Sequence, residues 1–141
     1  MAGRKSNQVV AEIDAPHEGN GNIKTVLIVD DDQSFRSALA DGLMVFKEDL
    51  NVYTAEDGEQ AIAIVKTTPV DLVITDLRMP AVGGLELALW MNEHRPATPV
   101  IVMSAYADTG TVLNLETQGN YFFDKPLDFN NLIRTVRTLL S

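Results

Sequence analysis

Carboxylates, a hydroxyl and an ammonium each stand directly behind an apolar run in this sequence. Asp30, Asp31 and Asp32 follow TVLIV (Thr25–Val29), Asp76 follows LVIT (Leu72–Thr75), Ser104 follows VIVM (Val100–Met103), and Lys125 closes YFFDK. Carboxylates crowded within several ångströms repel one another, and one would take up a proton unless a cation intervened. A small set of hard oxygen ligands suits magnesium, which keeps part of its water shell. An ion of that kind can bind a phosphoryl oxygen and neutralise charge during transfer. A carboxylate such as Asp76 could then attack phosphorus and form an acyl phosphate. Lys125 could hold the transferred group as a point charge, and Ser104 could donate a hydrogen bond to it. Polar residues end many loops, so the signal is the joint placement and not any single position.

The elements that must carry these residues alternate. The runs at Thr25–Val29, Leu72–Thr75 and Val100–Met103 are nearly continuous in apolar character, as expected of strands buried on both faces of a parallel sheet. Asn51–Ala55 and Tyr121–Asp124 are weaker strands. Between them the period lengthens to that of helices. Phe35, Leu39, Leu43 and Phe46 share one face of the first. Ala61, Ile62 and Val65 mark the second, opened by Asp57 with Gln60 three residues on. Leu85, Ala88 and Leu89 mark the third. The fourth, about 108–118, is the poorest, holding Gly110 and three threonines. Phe129, Leu132, Ile133, Val136, Leu139 and Leu140 stripe the fifth, with Asp128 as its N-cap. Five strands and five helices in strict alternation predict an α/β, doubly wound, right-handed parallel sheet. Ligands of such sheets bind beyond the carboxyl ends of the strands, where the acidic residues fall.

Composition bounds the rest. The 141 residues suit one core, and residues 1–22, which end in GNGN, are expected to form a flexible extension ahead of a domain over 23–141. No apolar run approaches the roughly 20 residues that span a bilayer, and the first residues lack the apolar centre of a secretion signal. Without cysteine, thiolate zinc sites, disulfides and cysteine nucleophiles are excluded, which fits a cytoplasmic setting. A net charge of −9 repels phosphate backbones and argues against direct nucleic-acid binding. His17 and His94 are expected to be solvated and without partners.

The segments VLIVDDDQSFR, VDLVITDLRMPAVGGLEL, PVIVMSAY and DKP, in this order and spacing, resemble the signature blocks of response-regulator receiver domains across Ile23–Leu140. The resemblance implies a flavodoxin-like strand order of 2-1-3-4-5. It implies Asp76 as phosphoacceptor, a signalling switch rather than an enzyme of turnover, and magnesium as cofactor. The ion would sit on Asp31, Asp76 and the backbone carbonyl of Arg78, with Asp30 acting through water. Asp32 is left to cap the first helix. Ser104 matches the switch hydroxyl, Phe122 the switch aromatic and Lys125 the family lysine, with Lys125–Pro126 as a cis peptide. The implied partners are a histidine kinase or histidine phosphotransfer protein and an effector of unknown kind. A homodimer through the fourth helix, fifth strand and fifth helix is also admitted.

Two features depart from the family pattern. The stretch from Ser104 to Lys125 is about one residue short near Gly119-Asn120, and the weak fourth helix is expected to be mobile. Arg78 and Tyr106, two positions beyond Asp76 and Ser104, are expected to flank the acyl phosphate and to slow its hydrolysis. Rival readings exist. A phosphatase or phosphotransferase of haloacid-dehalogenase type would place its nucleophile after the first strand and needs cap insertions for which the chain has no room. A flavodoxin-type carrier would need a hydroxyl-rich phosphate loop where three aspartates stand. A degenerate receiver serving only as an interaction module would not need the complete acidic, hydroxyl and lysine set. No effector sequence follows the last helix, which fits a stand-alone receiver or a segment of a longer regulator.

Overall fold

The computed structural model describes residues 23–46 and 49–141. The expected extension over 1–22, with His17, lies outside them. Strands β1 (Thr25–Val29), β2 (Asn51–Ala55), β3 (Leu72–Asp76), β4 (Val100–Ser104) and β5 (Tyr121–Asp124) form one parallel sheet in the order β2-β1-β3-β4-β5. Helices α1 (Gln33–Phe46), α2 (Gly58–Thr67), α3 (Gly84–His94) and α4 (Thr109–Thr117) connect them, and α5 (Phe129–Leu140) follows β5. The expected fold class and strand order are those observed.

Strand alternation divides the apolar residues between two cores. Val26, Ile28, Leu72, Ile74, Ile101 and Met103 face α1 and α5, meeting Leu39, Leu43, Leu132 and Val136. Leu27, Val29, Val73, Val100 and Val102 face the other way, toward Ala61 and Val65 of α2, Leu87 and Met91 of α3 and Leu115 of α4. Both faces of the central strands are therefore dry, which is why their sequences carry no polar alternation.

Helix α3 corrects an expectation. Its inner face is Gly84, Leu87, Ala88 and Met91, whereas Leu85 and Leu89 are 38% and 47% exposed. This helix is apolar nearly all round, so its period is ambiguous in sequence. Close approach sets the rotation instead: a β-carbon on Gly84 would run into the backbone carbonyl of Asp76, so only glycine can face β3 at that point. The inner positions of the other expected stripes are buried, Leu39 and Leu43 in α1 and Leu132, Val136 and Leu140 in α5, whereas Phe129, expected in the α5 stripe, is 38% exposed. Asp57, Asp108 and Asp128 cap α2, α4 and α5 through the backbone N–H groups of Gln60, Thr111 and Asn131. Gly119, at φ +91°, makes the tight exit from α4 into β5.

Candidate functional site

The site lies at the carboxyl ends of β1, β3 and β5. Asp30 is the first residue after β1 and is 1% exposed. Its N–H donates to the Ala55 carbonyl at 3.1 Å, and its own carbonyl accepts from Arg36 Nη1 at 2.6 Å. The N–H of Asp32 donates to Asp30 Oδ1 at 2.9 Å, which turns Oδ2 toward Lys125 Nζ, 3.0 Å away. Asp32 also caps α1, accepting from the N–H of Phe35 at 3.1 Å. Asp76 ends β3, and the next N–H, on Leu77, donates to the Met103 carbonyl at 2.7 Å, tying this loop to β4. Asp76 Oδ1 stands 3.3 Å from Lys125 Nζ. One carboxylate oxygen from each of Asp30, Asp31 and Asp76 lies within 4.8 Å of the others. Lys125 reaches them from beyond β5, where its N–H donates to the Ser104 carbonyl at 3.0 Å and its peptide bond to Pro126 is cis.

The electrostatics follow from that crowding. Burial lifts the Asp76 carboxyl above its ordinary value of 3.8; Lys125 pulls it down, while Asp30 and Asp31 push it further up. Burial by itself would lower Lys125, but its hydrogen bond to Asp30 and the charges of Asp30 and Asp76 outweigh that and hold it above 10.5. Three carboxylates against one ammonium leave uncompensated negative charge. Asp31 is exposed, so the cluster opens to water. An all-oxygen donor set of this size, negative and open on one side, fits a hard divalent ion such as magnesium.

Asp30, Asp31, Asp76 and Lys125, all singled out in the sequence, are thus brought together. Ser104 ends the neighbouring strand β4, 2% exposed, with its Oγ accepting from the N–H of Tyr106 at 3.1 Å. Phe122 is set apart from the carboxylates: it pairs with Val102 across β4 and β5 and packs, half-buried, against the core shared with α3 and α4. Tyr106, expected with Arg78 to flank the site, is 81% exposed and lines the open cleft beside Lys125. Arg78 donates from Nη2 to the Tyr106 carbonyl at 2.8 Å, linking the β3–α3 and β4–α4 loops. His94 is exposed as expected but has a partner, stacking on Trp90 with ring centroids 4.4 Å apart.

Sequence reasoning missed two residues. Arg36 fixes the Asp30 carbonyl. Phe35 presents its ring 4.2 Å from Lys125 Nζ. Phe35 falls in register with Leu39 and Leu43, so periodicity alone assigns it to the core.

Residues 26–137 match the family model described as response regulator receiver domain. The chain is 33% identical over 117 residues to the transcriptional regulatory protein GlrR of Escherichia coli, covering 82% of this chain and 26% of that protein. It is 31% identical over 117 residues to the DNA-binding transcriptional regulator NtrC of Salmonella typhimurium, covering 82% and 24%. The chain therefore spans about a quarter of the length of these relatives. Among solved structures, a CheY-like receiver domain protein from Methanospirillum hungatei superimposes with a TM-score of 0.77 at 24% identity, covering 84% of this chain and 94% of that one.

Proposed function

This chain belongs to the response regulator receiver domain family, and on that footing we propose that Asp76 accepts a phosphoryl group from a histidine kinase or histidine phosphotransfer protein. The observation that carries the proposal is the convergence of Asp30, Asp31 and Asp76 within 4.8 Å, with Lys125 Nζ at 3.0 and 3.3 Å from two of them. An oxygen of Asp76 attacks phosphorus, a P–O bond forms, the P–N bond to the donor imidazole breaks, and the imidazole leaves with its electron pair. Asp30, Asp31, Asp76 and the carbonyl of Arg78 would hold magnesium, which when bound neutralises charge on the phosphoryl oxygens. Lys125 then moves its ammonium from the carboxylates to the transferred group. The Ser104 hydroxyl turns from the Tyr106 N–H to donate to a phosphoryl oxygen, and Phe122 responds by repacking under α4 and β5.

The outcome is a shifted conformational equilibrium, with the domain, residues 23–141, acting as a switch that catalyses only its own phosphorylation and dephosphorylation. A cytoplasmic setting and an effector or second copy reading the face of α4, β5 and α5 complete the proposal. Among the described residues no helix is long and apolar enough to cross a membrane.

The rival reading, a phosphatase with its nucleophile after β1, is weakened by Asp30. Its side chain is 2% exposed, whereas that of Asp76 is 14% exposed, so Asp76 is the more open to an incoming phosphorus. Incubation with magnesium and a small phosphodonor such as acetyl phosphate tests the proposal. The chain should gain the mass of one phosphoryl group, and Asp76→Asn should not. Equal labelling of the two would remove Asp76 as the acceptor.

A further inference from the structure

Lys125 has a third neighbour besides its two carboxylates. The ring of Phe35 faces its ammonium with the nitrogen 4.2 Å from the centroid, a distance at which the negative face of an aromatic ring attracts a cation. The ring is also one wall of a cleft of about 550 Å³ beside Lys125, whose other walls are Ala105, Tyr106, Pro126 and Leu127. Through this cleft water has access to the ammonium, whose side chain is 22% exposed.

The ring is held in place by the same acidic run that builds the site. Asp32 accepts from the N–H of Phe35 and so fixes the first turn of α1. The N–H of Asp32 in turn orients Asp30, leaving Oδ2 for Lys125. Arg36, the next residue of that turn, grips the Asp30 carbonyl. The third aspartate of the run therefore places an aromatic face and a carboxylate on two sides of one ammonium.

We propose that Phe35 is a positioning residue for Lys125, its ring seating the ammonium against Asp30 and Asp76 so that it is poised to bind the incoming phosphoryl group. This role rests on Asp76 being the phosphoacceptor. The four-carbon stem of lysine is flexible, and β5, from which it springs, is an edge strand with both ends exposed. Without a seat the ammonium would spread over several rotamers and into the cleft, and fewer chains would be ready at any moment. The attraction belongs to the π face, so size alone does not supply it.

The test compares Phe35→Leu, which keeps an apolar side chain but no ring, with Phe35→Tyr, which keeps the ring. Two readouts are taken on the whole chain. The first is the NMR shift of the Lys125 ε-methylene protons, which a ring face moves upfield without any phosphorylation. The second is the initial rate of phosphorylation by acetyl phosphate with magnesium. The expected result is loss of the upfield shift in Phe35→Leu together with a rate about fivefold lower, and recovery of both in Phe35→Tyr. Equal rates in wild type and Phe35→Leu, or a Tyr variant as slow as the Leu variant, would overturn the inference. If the wild type itself takes up no phosphoryl group, the phosphoacceptor reading falls instead, whatever the methylene shift shows.

Discussion

The two halves of the site are built differently. β1 and β3, which bring Asp30 and Asp76, lie side by side in the sheet, and all five residues of β1 and the first four of β3 are buried. β5, which brings Lys125, is a four-residue edge strand with Tyr121 and Asp124 exposed. The helix against it, α4, buries only Leu115 and leaves Leu113 58% exposed. The carboxylates stand on a dense floor and the ammonium on a lightly packed one. Local stability follows buried apolar contact, so the Lys125 side opens at lower cost than the aspartate side. On the proposed function, that is the side expected to respond when the charge at Asp76 changes.

Leu115 is the point at which the looser half is most easily disrupted. Leu115→Ala should cost about 3 kcal/mol in urea unfolding, because it removes the only fully buried side chain of α4. It should also speed amide exchange over 109–117 far more than in β1 and β3. Equal protection of α4 and the central strands in the wild type would end the contrast.

Two glycine substitutions sharpen it, with opposite signs expected. Gly84→Ala places a β-carbon against the Asp76 carbonyl and 2.8 Å from Leu77 Cα, both backbone and unable to yield, and should destabilise by about 2 kcal/mol. Gly110 lies within α4 with nothing nearer than Asp108 Oδ1 at 3.5 Å. Gly110→Ala should therefore stabilise the fold by up to about 1 kcal/mol and slow exchange in α4. A loss of stability at Gly110 would mean that α4 is constrained by more than its own weak propensity.

The smallest effect concerns charge. The Asp76 carboxyl is held above 3.8, first by burial, so the folded chain binds this proton more tightly than the unfolded chain. Its contribution to stability is complete below pH 3.8 and is lost as pH rises through the raised value. Asparagine carries no charge at any pH and escapes the loss. In buffer free of divalent ions, Asp76→Asn should raise Tm slightly at neutral pH, with a gain that shrinks as pH falls toward 3.8. A gain independent of pH would show that packing, and not ionisation, is responsible.

Much of this was legible in the sequence because it depends on local pattern. Continuous apolar runs mark strands covered on both sides, and polar residues after those runs must share the carboxyl rim of a parallel sheet. Asp57 and Asp128 announce helix starts through capping chemistry that acts within three residues. Where a pattern is degenerate, inference failed. α3 is apolar around most of its circumference, and its rotation is set by the contact of Gly84 with β3, a residue pair joined only by folding. Phe35 reads as one more member of a helical stripe until the chain around it is in place.

The order of elements, the two-faced burial of the central strands and the acidic and basic groups delivered to one rim are all written in the linear chain. These follow from side-chain period and strand direction, which are properties of neighbouring residues. Which atoms meet depends on the folded chain: Lys125 bridges Asp30 and Asp76, its ammonium rests on the ring of Phe35, and Arg78 spans two loops to the carbonyl of Tyr106. Those contacts join residues as many as 95 positions apart, and a separation of that length is closed by packing of the whole sheet and not by any local preference.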